Sequence, residues 1–272
     1  MDDLKFKDRY GPWALVAGAS AGIGAEFSKQ LAAKGLNVVC VARGREKLEN
    51  HALEIARNYG VDARPVAADL GGLDAVEQLR SETAGLEIGL LVYNAAYSPI
   101  GPFLDQKLED KLKTLYVNCR GLLMMAHEYG KTMAERGRGG MIFMSSLAGM
   151  QGNALVAGYA ASKAYGRILG ESLWDELREH GVDVLAFSAG ATRTPGYEAT
   201  LPEKGGVPSY LVQEPEAVAT EALAVLGKGP SRISGTANKL TANVFQRLLP
   251  RRLAASTMGR MMRKIYGRKE KS

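Results

Sequence analysis

The stretch "AGASAGIG" (17–24) decides the fold, because it joins an apolar run to a segment with helical spacing. The run "WALVAG" (13–18) is typical of a strand buried on both faces, and "GIGAEFSKQLAAKG" (22–35) predicts a helix. Glycines permit a tight turn in which backbone N–H groups approach a pyrophosphate, and the helix N-terminus adds partial positive charge. A strand, a glycine turn and a helix in this order therefore predict a nucleotide site. The glycines concerned are Gly18, Gly22 and Gly24.

Apolar runs and helical segments continue to alternate along the chain. Alternation of this kind predicts a parallel sheet covered on both faces, and right-handed crossovers make it a doubly wound, Rossmann-type sheet. Further strands are expected at 37–43, within 62–70, and at 88–96, 139–146 and 182–190. Helices are expected at 45–60, around 103–106, and at 109–135 and 155–181. No linker or repeat interrupts this pattern, so we expect one α/β domain over residues 1–242.

The C-terminal segment 243–272 differs in charge from the rest of the chain. It carries nine lysine or arginine residues and one glutamate, a net charge of +8, so the total of +6 leaves −2 for the first 242 residues. Nucleic-acid binding by the body is therefore not expected. Apolar residues form a stripe along the segment, namely Val244, Phe245, Leu248, Leu249, Leu253, Met258, Met261, Met262 and Ile265. A basic amphipathic helix suits contact with a membrane surface or partner; the alternative is docking on the substrate side or across a dimer.

Cysteine and histidine usage gives no sign of a metal. Cys40 and Cys119 lie in apolar runs without C-x-x-C spacing, and we expect reduced, buried thiols. The three histidines show no ligand spacing, so we expect surface positions and no metal site. The N-terminus lacks an apolar signal region, and no run approaches the roughly 18 apolar residues of a membrane-spanning helix. A cytoplasmic protein is expected, with possible peripheral membrane contact through the tail.

The end of the second strand bears on cofactor choice. In the NAD-binding version of this unit an acidic residue follows the second strand, whereas a cation accommodates the 2′-phosphate of NADP. Here the strand ends "VARGREKL" (41–48), which supplies Arg43 and Lys47, while Glu46 should already lie in the next helix. We therefore expect NADP, the alternative being that Arg43 is only a solvated charge. Asp69 and Leu70 end the third strand, at the height of an adenine ring.

Asn94 and Ala95 end the fourth strand, at the same edge of the sheet. Both are predicted to contact the cofactor. An asparagine here can equally satisfy neighbouring backbone groups, and the sequence leaves both readings open.

The motif "YAASK" (159–163) places a phenol and an ammonium on one face of a helix, because residues four apart are neighbours. A free phenol has a pKa near 10, and a nearby ammonium lowers it. Tyr159 next to Lys163 is therefore predicted to act as an acid or base on a carbonyl or alcohol oxygen. Ser146 ends the fifth strand and can hydrogen-bond the same oxygen. Asn118 lies inside a predicted helix, which suggests a polar task with water or the lysine as partner.

Taken together, "AGASAGIG", "YNAA" (93–96), Asn118, Ser146, "YAASK" and "AGATRTP" (189–195) resemble the short-chain dehydrogenase/reductase family over roughly residues 11–230. That resemblance implies a single-domain Rossmann sheet of about seven strands and hydride transfer between nicotinamide and a carbonyl/alcohol pair. It implies that Tyr159 is the acid/base, that Lys163 binds the nicotinamide ribose and that Asn118 holds a relay water. The phosphates would be lined by Ser20, Ala21, Gly22 and Ile23, and the carboxamide and phosphate side contacted by Thr192 and Thr194.

The opening "KDRYGPWALVAGASAGIG" and the strand end "VARGREKL" also resemble a bacterial branch that includes some bile-acid hydroxysteroid dehydrogenases. The segment 194–213 reads as a substrate lid, and with "YSPIGPF" (97–103) it suggests a hydrophobic pocket. We therefore expect an NADP-dependent oxidoreductase for a steroid-like or acyl ketone, and a homodimer or homotetramer. Two alternatives remain open: a β-ketoacyl or fatty-acyl reductase, and an NADP-binding regulatory or scaffold protein without turnover.

Overall fold

The computed structural model describes residues 2–200, 207–245 and 249–267. Within these ranges seven strands form one sheet in which every neighbouring pair is parallel. The strands are β1 (Trp13–Ala17), β2 (Asn37–Ala42), β3 (Ala63–Ala67), β4 (Ile88–Tyr93), β5 (Gly139–Ser146), β6 (Val182–Ala189) and β7 (Ser231–Ile233). Their order is β3-β2-β1-β4-β5-β6-β7, which confirms the doubly wound Rossmann-type sheet predicted from the sequence.

Helices cover both faces of the sheet. They are α1 (Asp3–Tyr10), α2 (Gly22–Ala33), α3 (Arg45–Tyr59), α4 (Ala75–Glu82), α5 (Leu108–Leu115), α6 (Leu122–Arg136), α7 (Ala157–Leu177), α8 (Pro195–Glu198), α9 (Pro215–Val225), α10 (Thr236–Asn243) and α11 (Arg251–Tyr266). Helices α1, α2, α3 and α9 pack on one face, and α4, α6 and α7 on the other. Alternate strand residues feed the two cores, as Val16 and Leu15 do in β1.

The helix expected at 109–135 is interrupted. A π-helical turn, Tyr116–Gly121, separates α5 from α6. The hydroxyl of Tyr93, at the end of β4, donates a hydrogen bond to the carbonyl of Val117 inside this turn. A side chain at Gly121 would come within 2.5 Å of the same hydroxyl, so glycine is needed where the turn passes Tyr93. Wider π turns often occur at functional sites, and this one contains Asn118.

Two further differences separate the structure from the sequence prediction. Residues 103–106 form a turn and no helix, and the side chain of Gln106 donates to the carbonyl of Gly101 at 2.8 Å. Helices α1, α4, α8, α9 and α10 have no counterpart in the prediction, because each is too short for its apolar residues to show a clear helical period. The 242/243 boundary expected between body and tail falls within the last turn of α10.

His51 was expected at the surface, and this expectation is wrong. The residue is 8% exposed and lies on the buried stripe of α3 with Leu48, Ala52 and Ile55, at helical spacing. Burial lowers the pKa of its imidazole. Within the described ranges, no group of three or more His, Cys, Asp or Glu side chains could hold a metal ion. In the same part of the chain, no helix combines the length and apolar character needed to cross a membrane.

Candidate active site

A cleft of about 990 Å³ opens beyond the carboxyl ends of the strands. Its walls come from the loops after β1, β2, β4, β5 and β6 and from the start of α7. Helix α11, the last helix of the described chain, forms a further wall. This is the position at which open parallel sheets bind ligands. Of the residues that the sequence assigns to the site, the structure places all but Gly24, Lys47 and Asn118 in the lining.

The glycine turn leaves the N-terminus of α2 open to the cleft. Ala21 precedes the helix without a side-chain cap, and the first turn holds no acidic residue, so its N–H groups are available to an anion. A side chain at Gly24 would lie 2.0 Å from the carbonyl oxygen of Gly18, so only glycine allows the helix to pack this closely against the turn. Gly24 itself does not line the cleft. Gly22 has φ +55°, and a side chain there would meet the methyl of Thr194 at 2.7 Å.

Arg43 is the cation that the structure brings to the part of the cleft next to the end of β2. It is exposed at the end of β2, and no carboxylate pairs with it among the described residues. Arg45 pairs instead with Glu49 at 3.4 Å. Lys47 is exposed on α3 and does not line the cleft, because it lies within the helix and not at the strand end. The site therefore presents one cation at the position where the sequence predicts recognition of a 2′-phosphate.

The ends of β3 and β4 also reach the cleft, largely through turn-forming contacts. Asp69 accepts a hydrogen bond from the N–H of Gly71 at 3.1 Å, and Leu70 beside it is buried. The side chain of Asn94 donates to the carbonyl of Gly18 at 3.3 Å. Of the two readings of Asn94 left open by the sequence, the structure supports the satisfaction of neighbouring backbone, which steadies the glycine turn.

Tyr159, Lys163 and Ser146 meet at one end of the cleft. Lys163 lies with its ammonium nitrogen 5.7 Å from the ring centre of Tyr159, and it donates to the carbonyl of Met144 at 2.7 Å. Ser146 ends β5, and its Oγ accepts from the N–H of Ala148 at 3.1 Å. Since a hydroxyl also carries one hydrogen, Ser146 can still donate to a ligand oxygen. A phenol, a serine hydroxyl and an ammonium thus share one surface.

Burial sets the acid–base properties of this group. It raises the pKa of Tyr159 above the usual value of a phenol, while Ser146 acts in the opposite direction by hydrogen bonding. It lowers the pKa of Lys163 to about 8. The sequence led us to expect a lowered tyrosine pKa. In this structure desolvation outweighs the hydrogen bond with Ser146, and the phenol is held in its protonated form.

Asn118 has partners other than those expected. Its Oδ1 accepts from the N–H of Tyr97 at 2.7 Å, and its Nδ2 donates to the Tyr97 carbonyl and to Oγ of Ser162, both at 2.9 Å. Ser162 in turn donates to the carbonyl of Tyr159 at 2.8 Å. The side chain is buried and does not line the cleft, and its amide group donates to Tyr97 and Ser162 and not to Lys163. The amide therefore ties the loop after β4 to the first turns of α7.

The C-terminal helix supplies a wall that the sequence did not assign to the site. Met258, Met261, Met262, Ile265 and Tyr266 all line the cleft. Docking on the substrate side was one of the two readings of the tail, and this lining supports it. The structure gives the membrane reading no support from residues 258 to 265 of the stripe, which line the cleft, whereas Val244 and Leu253 are exposed. Leu248, which the stripe also included, lies outside the described residues.

Other parts of the lining come from the expected lid and from the loop before α7. Tyr197, Thr200, Val207 and Leu211 border the cleft, whereas 201–206 of the lid lie outside the described residues. Asn153 was not anticipated; its side chain donates to the carbonyl of Ala148 at 2.7 Å and thereby shapes the loop after Ser146. An isolated asparagine in a loop carries no sequence signal that could have identified it.

Comparison with known proteins finds a matching family model and several relatives that are dehydrogenases or reductases. A family model described as short chain dehydrogenase matches residues 12–204. A 7beta-hydroxysteroid dehydrogenase of Collinsella aerofaciens is 34% identical over 238 residues, which are 87% of this chain and 90% of that protein. A very-long-chain 3-oxoacyl-CoA reductase of Anas platyrhynchos is 34% identical over 222 residues, 80% of this chain and 69% of that protein.

Solved structures agree with these matches. A structure from a study of 7beta-hydroxysteroid dehydrogenase stereoselectivity superposes with a TM-score of 0.88 at 32% identity, covering 93% of this chain and 98% of that one. A short-chain dehydrogenase from Sphingobium yanoikuyae in complex with NADPH gives a TM-score of 0.78 at 26% identity, with coverage of 88% and 94%.

The contacts of Asn118 predict a structural effect of its removal. Asn118→Ala deletes three hydrogen bonds and leaves the N–H and carbonyl of Tyr97 without their partners. We expect the free energy of unfolding to fall by about 2–4 kcal/mol, at about 1 kcal/mol for each bond plus the cost of unpaired groups. Urea denaturation measures this. Ser162→Ala removes one of the three bonds and the bond from Ser162 to the Tyr159 carbonyl, but it leaves both contacts of Asn118 with Tyr97 in place. It is the matched control and should cost clearly less; equal losses in the two variants would contradict the assignment.

Proposed function

Because the chain belongs to the short-chain dehydrogenase family, whose members act on CH–OH and C=O groups, we propose that it is an NADP-dependent oxidoreductase for a ketone or secondary alcohol on a bulky, hydrophobic substrate. The observation that carries the proposal is the continuity of one cleft. An open helix N-terminus and Arg43 stand at one part of it, Tyr159 with Ser146 at another, and the apolar face of α11 forms a further wall.

The residues of the cleft fit a dinucleotide phosphate. The uncapped N-terminus of α2 offers N–H groups to the pyrophosphate, and the close packing of Gly18 against Ala95 and of Gly24 against Gly18 holds that helix end at the edge of the cleft. Arg43 has no carboxylate partner among the described residues and is free to meet a 2′-phosphate. A related solved structure holds NADPH. When bound, the nicotinamide supplies or accepts the hydride.

The chain's own residues would handle the substrate oxygen. Ser146 donates a hydrogen bond to the carbonyl oxygen, and Tyr159 gives it a proton during reduction. A raised pKa suits this direction, because it keeps the phenol loaded with its proton. As the phenol becomes a phenolate, the Lys163 ammonium, 5.7 Å from the ring centre, stabilises the new charge. Reversal of these steps would oxidise an alcohol.

Two relatives suggest different bulky substrates. The hydroxysteroid dehydrogenase relative supports a rigid, steroid-like ketone, and the 3-oxoacyl-CoA reductase relative supports an acyl ketone as second candidate. The methionine side chains of α11 are flexible and apolar, so they can accommodate either shape. A binding protein without turnover has no need of a serine hydroxyl beside the phenol, which argues against the regulatory alternative.

Turnover should depend on the Tyr159 hydroxyl. We expect the protein to oxidise NADPH when it is offered a suitable ketone from a panel of steroid ketones, 3-oxoacyl thioesters and small aryl ketones. The decrease in NADPH absorbance measures the rate. Tyr159→Phe should lower kcat about 10²- to 10⁴-fold, the usual contribution of a positioned acid, while NADPH binding measured by fluorescence stays unchanged. Tyr165→Phe, at a partly exposed tyrosine of the same helix, is the control. Full activity of Tyr159→Phe would contradict the proposed role of Tyr159 as the acid.

Cofactor choice should depend on Arg43. A charge-assisted hydrogen bond contributes about 1.5–3 kcal/mol, so Arg43→Ala should weaken NADPH binding roughly 10- to 100-fold and leave NADH binding unchanged. Titration calorimetry with both nucleotides measures the difference. Arg45→Ala, whose charge pairs with Glu49, is the matched control and should bind both as the wild type does. Equal losses for NADPH and NADH would show that Arg43 does not select the phosphate.

A homo-oligomer through α5, α6 and α7 remains our proposal for the quaternary structure. These helices and the π turn expose large apolar side chains, which are Leu108, Leu112, Leu115, Tyr116, Leu123, Tyr165 and Ile168. Burial of such a patch stabilises association. Light scattering should give the mass of a dimer or tetramer for the wild type and of a monomer for Leu123→Glu with Ile168→Glu. A monomeric wild type at micromolar concentration would end the proposal.

A further inference from the structure

The last turn of α11 brings a phenol to the reacting end of the cleft. Met258, Met262 and Tyr266 are spaced four residues apart, so they share one face of the helix, and all three line the cleft. The helix lies along the loop that leads into α7. A side chain at Gly152 would meet the methyl of Ala255 at 3.9 Å, and one at Gly259 would meet that of Ala154 at 3.5 Å.

Contacts at 152 and 154 direct the following turn of α11 towards the start of α7, which carries Tyr159. The two tyrosines are close enough for Tyr266 to raise the pKa of Tyr159, and it also raises that of Tyr197 on α8. Tyr159, Tyr197 and Tyr266 all line the cleft, so three phenols border the part of it where the proposed reaction takes place.

Tyr266 differs from its neighbours on this wall in carrying a hydroxyl. The residues beside it are methionines and Ile265, and no protein group within the described ranges hydrogen-bonds its hydroxyl. A substrate that fills the cleft displaces water from this hydroxyl. Leaving it unpaired would cost about 1–3 kcal/mol, so a ligand that supplies an oxygen there is favoured over one that does not.

The reacting oxygen is a poor partner for Tyr266. A carbonyl oxygen has two lone pairs, and in the proposed mechanism Ser146 and Tyr159 already donate to both. A third donor is therefore better matched by another oxygen of the substrate.

Building on the proposed function, we propose that Tyr266 is a specificity-determining residue that donates a hydrogen bond to a second oxygen of the substrate, near the ketone that reacts. The preferred substrates are then bulky, mostly apolar ketones that bear one additional hydroxyl or carbonyl group. A purely hydrocarbon ketone of the same size fits the cleft and loses this contact.

Matched ketones test the proposal. The probes are tetracyclic ketones, each offered with and without one added hydroxyl or oxo group at positions around the reacting carbonyl. In the wild type, kcat/KM for at least one oxygenated member should exceed that of its parent by roughly five- to tenfold, the value of one hydrogen bond. Tyr266→Phe should abolish this preference, because the parent ketone no longer leaves a hydroxyl unpaired and the oxygenated ketone no longer gains a hydrogen bond. The Kd for NADPH should stay unchanged.

Controls separate the outcomes. Tyr210→Phe, at a tyrosine that is 74% exposed and outside the cleft lining, should behave as the wild type. Equal losses of Tyr266→Phe on both members of a pair would mean contact with the reacting oxygen and would overturn the proposal, as would an unchanged preference. Kd values for the same ketones with the NADPH complex, from calorimetry, report the preference even without turnover. Failure of the oxidoreductase proposal is thereby kept distinct from failure of the role of Tyr266.

Discussion

The close approach of Gly24 to the carbonyl of Gly18 is the constraint on which the cleft depends. No side chain fits between them, and Asn94 fixes the same carbonyl from the end of β4. The turn therefore joins β1, α2 and β4 at one point and aims the N-terminus of α2 along the strand ends. With Gly22 packed under Thr194, the loop after β6 is held by the same turn. One short segment thus sets the positions of three walls.

Burial is the second organising factor, and it explains the chemistry better than charge does. Lys163 is buried, and its ammonium donates a hydrogen bond to the carbonyl of Met144. Ser145 donates to the Lys163 carbonyl at 2.8 Å and thereby holds α7 against β5. Desolvation acts on both titratable groups, raising the pKa of Tyr159 and lowering that of Lys163. The phenol is therefore held in its protonated form, while a lysine pKa of about 8 still leaves an ammonium at neutral pH that can stabilise a phenolate as it forms.

Sequence reasoning recovered what local patterns encode. Apolar strands alternating with helices predicted the sheet, and the glycine turn with "YAASK" predicted which residues meet at the cleft. Features that depend on contacts between residues far apart in the sequence were not predicted. The π turn follows from the reach of Tyr93 across to Val117, and the partners of Asn118 come from the loop at Tyr97 and from α7. The burial of His51 and the docking of α11 on the cleft depend on which surface each helix packs against. The periodicity of a helix shows which face is apolar, but it does not show what that face contacts.

The wall formed by α11 has a consequence for the biosynthesis of the protein. All seven strands of the described chain and the nucleotide turn precede α11, so they leave the ribosome first and can pack while the last helix is still in the exit tunnel. The part of the cleft that suits a cofactor can therefore assemble before the apolar wall of α11 closes the substrate side. A nascent chain could bind nucleotide, and gain stability from it, at a stage when the wall formed by α11 is still missing.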